Sequence, residues 1–201
     1  MEHGKRLGLV VMMVTVASLV DGSTARAGTV GTTSTREAWG ARQAVKEQLV
    51  PTVVQSSVAV AQDAPRDATR NVNVALPVGG GVLQIVGVVE GSGGQGMGVT
   101  VQSFLTITET NISITQDSVT YIVNGTQQWS GSTTFTKTGT LPPVVVSGTG
   151  SLKGEAKITP PAGPTINCPI DLAVEFGNGG GFTWSGTICG QPVQGSGSLR
   201  K

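Results

Sequence analysis

The chain has 201 residues, enough for one ordinary domain, and only 12% are charged against roughly 25% in typical soluble domains. Thr, Ser, Gly, Asn and Gln must therefore cover much of the surface. A formal net charge of +1 gives no electrostatic footprint for nucleic acid or an anionic membrane.

Lys5 and Arg6 precede an apolar run, residues 7–20, and Ala25-Arg26-Ala27 follows after a short polar stretch. This is the three-part pattern of a secretory signal peptide, with cleavage expected after Ala27. An apolar run of about 14 residues at 1.5 Å each covers about 21 Å, short of a ~30 Å hydrocarbon core, so a retained anchor is disfavoured. The expected destination is secreted or periplasmic, and the mature chain is expected not to be integral to the membrane. The one histidine, His3, would leave with the signal. Without it, Ser-His-Asp and Cys-His nucleophilic sites are excluded, as are His-ligated zinc, copper and iron. No cofactor and no metal are expected.

Residues 28–70 form an N-terminal helical and linker segment. Ser34-Thr35-Arg36-Glu37 fits a capping box, and Ala38, Ala41, Val45 and Leu49 follow at helical spacing. Pro51 interrupts the stripe, and Val53, Val54, Val58 and Ala61 continue it as a kinked helix. Residues 62–70 are a polar linker.

From Asn71 to Lys201 the apolar period becomes two, punctuated by glycine. About nine to eleven short strands are expected, splitting near Asn111 and again at Gly131-Ser132, with tight turns between them. The expected fold is mainly β, a single-domain antiparallel meander forming a barrel or a two-layer sandwich. A transmembrane barrel is disfavoured because 4% aromatic content cannot supply its two girdles. A weak repeat links Trp129-Ser130-Gly131 with Trp184-Ser185-Gly186, and residues 146–153 with 193–200, which points to equivalent strand pairs.

Gly91-Ser92-Gly93-Gly94-Gln95-Gly96 matches G-x-G-x-x-G literally. Strand residues follow it where a dinucleotide site needs a helix N-terminus, so it is a turn. Among carboxylates, Asp171 and Glu175 lie on one strand face but about 13 Å apart, beyond the ~5–9.5 Å of a glycosidase pair. Glu90, Glu109, Asp117 and Glu155 could meet only through the fold. Trp129, Trp184 and Tyr121 are candidate ligand-stacking residues, with large core side chains as the plainer reading. Asn111 and Asn124 head glycosylation sequons, relevant only in a host that glycosylates exported proteins.

Cys168 and Cys189 flank a hairpin and, in an exported chain, are expected to form a disulfide. Placing Phe176 opposite Phe182 aligns Val174 with Trp184, Leu172 with Gly186 and Ile170 with Ile188, with every apolar side chain on one face. In that register the two cysteines fall on opposite faces. A β-bulge beside them is the expected resolution.

Taken together, these features point to an exported, non-enzymatic β-rich binding or envelope-structural protein of unknown specificity, with a small apolar ligand or a cell-surface polymer as candidate partners and no nucleic acid. The alternatives are a carrier barrel for a small apolar, lipid-like ligand, closed by the N-terminal helix, and a carboxylate-dependent hydrolase.

Overall fold

The computed structural model describes residues 33–62, 67–93, 98–136 and 144–199. The signal-peptide reading, its cleavage site and the glycine-rich residues 94–97 fall outside them. One N-terminal helix (33–62) precedes eight strands: β1 Ala68–Val78, β2 Gly81–Ser92, β3 Val99–Gln116, β4 Val119–Thr136, β5 Val144–Thr159, β6 Ile166–Phe176, β7 Gly181–Ile188 and β8 Gln191–Ser198. Their order in the sheet is their order in the chain, and every neighbouring pair is antiparallel. The sheet is open, with β1 and β8 as its edges. Pro77 and Pro192 stand in those edge strands, where a missing N–H costs no interior ladder bond.

The helix does not break at Pro51. A single π-turn, Val45–Leu49, separates Thr33–Ala44 from Val50–Gln62, and the Val50 N–H donates to the Val45 carbonyl five residues back. Pro51 has no N–H for the Glu47 carbonyl and its ring crowds that oxygen, so a wider turn just before it relieves the clash. The apolar stripe stays in phase: Val45, Leu49, Val50, Val53, Val54 and Val58 are all buried.

Eight strands replace the nine to eleven expected because two expected breaks are not breaks. At Asn111 the ladder β3–β4 steps from Glu109↔Gly125 to Ile112↔Val123, so β3 carries one extra residue and continues. This is a bulge, with Asn111 left-handed at φ 52° and its N–H held by the Asn124 side-chain oxygen at 2.9 Å. At Gly131-Ser132 the strand runs straight through. Residues 68–70, expected as linker, are already paired with β2.

Period-two burial gives the sheet one apolar face, which packs on the helix as a single core. The helix lies against β3, β4 and β8. Gln48 Nε2 donates to the Thr115 carbonyl at the tip of β3, and Gln55 Nε2 donates to the Ser198 carbonyl at the end of β8 at 2.9 Å. Further along the core runs an aromatic row. Trp129 meets Phe176 edge-on at 6.2 Å, Phe176 meets Phe182 at 5.9 Å, and Phe182 meets Trp184 at 5.7 Å. Each indole lies over a glycine of the next strand: a Cβ on Gly150 would sit 2.5 Å from the Trp129 ring, and one on Gly195 would strike Trp184. The sequence repeat maps onto these hairpins with slipped register. Trp129 pairs with Leu152, whereas Trp184 pairs with Gly195, the repeat counterpart of Gly148.

Cys168 and Cys189 are disulfide-bonded. The β6–β7 register is Phe176↔Phe182, Val174↔Trp184, Leu172↔Gly186 and Ile170↔Ile188, as expected. The expected bulge is absent: the ladder is regular to Ile170↔Ile188, and the Cys189 N–H still bonds the Pro169 carbonyl at 2.8 Å. The parity conflict is resolved by a turn instead. Cys189 and Gly190 form the two-residue β7–β8 loop with φ of 51° and 72°, both left-handed, as a type I′ hairpin requires. The left-handed backbone lets the Cys189 side chain meet buried Cys168. Replacing both cysteines with alanine is expected to lower stability by about 3 kcal/mol, the chain-entropy value for a loop of this length. Urea unfolding of the wild type, with and without reductant, and of the double variant checks this. Gly150→Ala is expected to cost about 1–3 kcal/mol through overpacking against Trp129, read as a lower urea midpoint at unchanged slope.

Candidate functional site

The three aromatic side chains singled out from the sequence all point inward. Trp129 is 1% exposed, Tyr121 3% and Trp184 5%. Trp129 and Trp184 belong to the aromatic row, while the Tyr121 hydroxyl lies against Gly40 of the helix. Burial, with Glu37 and Asp117 adding like charge, pushes the Tyr121 phenol above its usual range. The helix and the aromatic row occupy the inner face, where the carrier reading places its cavity.

The carboxylates are spread over both faces, and Glu90 shares a surface depression with Asp67. Asp171 pairs with Lys153 at 3.3 Å on the outer face with both side chains 62% exposed, a geometry worth little in water. Glu175 and Glu155 lie on that same outer face, Glu90 is exposed on β2, and Asp117 sits in the β3–β4 turn. Glu109 alone is turned inward, and it is 2% exposed. Among the described residues no group of three or more His, Cys, Asp or Glu side chains could hold a metal ion.

Two polar features remain, one on each face. On the outer face a shallow depression of about 370 Å³ spans β3, β4 and β5, lined by Gln102, Phe104, Ser130, Ser132, Thr149 and Ser151. A second, of about 270 Å³, spans β1, β2 and β3 and includes Asp67, Thr69, Glu90 and Ser92. They share Gln102, so together they form one track across five strands. Four inter-strand spacings give it a length of about 19 Å. Small side chains make the trough, and Phe104, 51% exposed, forms a raised apolar wall. Cross-strand hydrogen bonds orient the surrounding polar groups: Thr100 with Thr134 at 3.1 Å, and Thr106 to Gln128 at 3.2 Å.

Sequence reasoning did not single out this track, because Ser and Thr are common throughout the chain. The available signal was Phe104. It falls out of phase with Val101, Leu105 and Ile107, so the alternation itself turns it outward.

On the inner face, Gln127 Nε2 donates to Glu109 Oε1 at 2.6 Å, while Glu109 Oε2 and Gln127 Oε1 have no hydrogen-bond partner. Burial pushes the Glu109 carboxyl up to about 8. Nearby, the buried Trp129 indole donates to Ser103 Oγ at 2.9 Å.

No family model matches the chain, and neither a curated protein nor a solved structure does. No described helix is long and apolar enough to cross a membrane. The buried disulfide fits an oxidising, extracellular-type compartment. Ser103→Ala is expected to leave the Trp129 N–H buried and unsatisfied, costing about 1–3 kcal/mol. Chemical denaturation measures the loss.

Proposed function

We propose that the protein is exported and non-enzymatic, and that the outer face of its sheet binds a neutral, hydroxyl-rich polymer such as a cell-surface glycan. The reading rests on the track joined at Gln102, where uncharged hydroxyl and amide groups stand beside an exposed aromatic ring. Hydroxyls and amides both donate and accept hydrogen bonds, the chemistry that sugar hydroxyls need. An aromatic face adds apolar contact with the C–H surface of a sugar ring. A length of about 19 Å suits several units of an extended chain better than one small molecule. Asp67 and Glu90, at the β1–β2 end, add acceptors without making the track strongly charged.

The N-terminal pattern and the disulfide both support export. The open sheet reads as a half-barrel curled about the helix, since that helix touches both the central strands and β8. Curling of this kind holds the outer face convex and accessible.

The test is co-sedimentation with insoluble cell-wall polysaccharides, using wild type, Phe104→Ala and Gln102→Ala. Wild type is expected in the pellet. Each variant is expected to bind about tenfold more weakly, about 1.4 kcal/mol, with stability changed by no more than about 0.5 kcal/mol. Equal retention of all three proteins, or none for wild type, overturns the reading.

A further inference from the structure

Glu109 is the only carboxylate or cation buried among the described residues, and the outer-face track makes no use of it. It stands in a row of paired inner-face residues running Leu83, Glu109, Gly125, Ala156, Cys168 across β2 to β6. Its carboxyl fills the space over Gly125, where a Cβ would lie 2.6 Å from Oε2. The flanking rows supply Ile107, Ile112, Val123 and Gln127, none of them charged. Lys153, Glu155 and Lys157 of β5 belong to the opposite face, residues 50–62 of the helix contain no ionisable side chain, and Glu37, Arg42, Lys46 and Glu47 of its first part are not buried. The other titratable side chain on this face is Tyr121, whose hydroxyl is turned to the helix at Gly40.

The pair's hydrogen bonding decides the protonation state. An ionised Glu109 would leave a buried charge held by one amide N–H, with a second bare acceptor, Gln127 Oε1, beside it. Both oxygens would then be desolvated without compensation. The neutral acid lowers this cost, because it removes the buried charge and brings a donor to a site that holds two unpartnered acceptors.

Glu109 is also the last paired residue before the β3 bulge. Beyond the bulge, residues 112–123 form the arm that holds the helix, through Gln48 on the Thr115 carbonyl and Tyr121 against Gly40. We infer that Glu109 is a proton-held latch: as the neutral acid bonded to Gln127 it keeps this arm and the helix docked, and its ionisation loosens them. A carboxyl raised to about 8 places that change in the mildly alkaline range. Its folded value lies above the unfolded 4.5, so its contribution is complete below 4.5, declines between 4.5 and about 8, and is lost above.

The test compares full-length wild type with Glu109→Gln by thermal unfolding and by hydrogen exchange of residues 112–123, from about pH 6 to about pH 9. The Gln substitution stands in for the neutral acid, an uncharged group that keeps an acceptor for Gln127 Nε2 and carries a donor. Wild type is expected to lose melting temperature across this range, and at least about tenfold of its arm protection beyond the change in chemical exchange rate. The variant is expected to stay flat and to melt above wild type at the alkaline end. Identical pH profiles, or a variant less stable than wild type at the alkaline end, overturn the inference. Should the variant fail to fold, infrared titration of wild type decides. A protonated-carboxyl band present at about pH 6 and lost near pH 8, absent after unfolding, supports the latch. Absence of that band at about pH 6 overturns it.

Discussion

A sheet of eight antiparallel strands with one apolar face has nothing of its own to cover that face, and in this protein one helix does it. The long central strands put Leu83, Ile85, Leu105, Ile107, Ile112 and Leu152 on one side, all essentially buried. Helix residues 45–61 supply the opposing surface, and the π-turn before Pro51 keeps both halves of the stripe pointing at the same strands. Were the helix to break at Pro51, one half would leave the core and expose apolar strand residues. Packing therefore overrides the local preference for a break, as it commonly does when a propensity penalty is set against several buried side chains.

Where the helix does not reach, size complementarity takes over. The row Trp129, Phe176, Phe182, Trp184 fills space left by glycine on adjacent strands. Those glycines thus serve as sockets, which is how Gly148, Gly150, Gly195 and Gly197 sit inside strands without loosening the core. The same logic explains Gly125, whose missing side chain leaves room for a carboxyl.

Much of this was legible in the sequence because alternation is a strong constraint. The β6–β7 register followed from aligning Phe176 with Phe182, and a one-residue error would have turned Trp184 into solvent. The disulfide and the helical stripe were legible for equally direct reasons. The device joining the cysteines was not, because a bulge and a left-handed turn residue both reverse side-chain parity, and Cys is an unusual occupant of a type I′ turn that favours Asn-Gly. Strand number was overcounted because Asn111 and Gly131 look like breaks until their cross-strand partners are known. Glu109 did carry a signal. It lies in phase with Leu105 and Ile107, so the alternation places a carboxylate among core residues. The outer-face track had little beyond Phe104, since its hydroxyls resemble those on every other strand.

The tie between Gln55 and Ser198 joins residues 143 apart in sequence. Neighbouring strands of a meander can zip locally, hairpin by hairpin, at low loop-closure entropy. The helix, made before any strand, cannot complete its docking until the eighth strand has been laid down. Its stripe seats first on β3 and β4, and the contacts with β8 complete its docking last. A chain interrupted before β8 would be left with the helix seated on β3 and β4 but without its tie at Gln55.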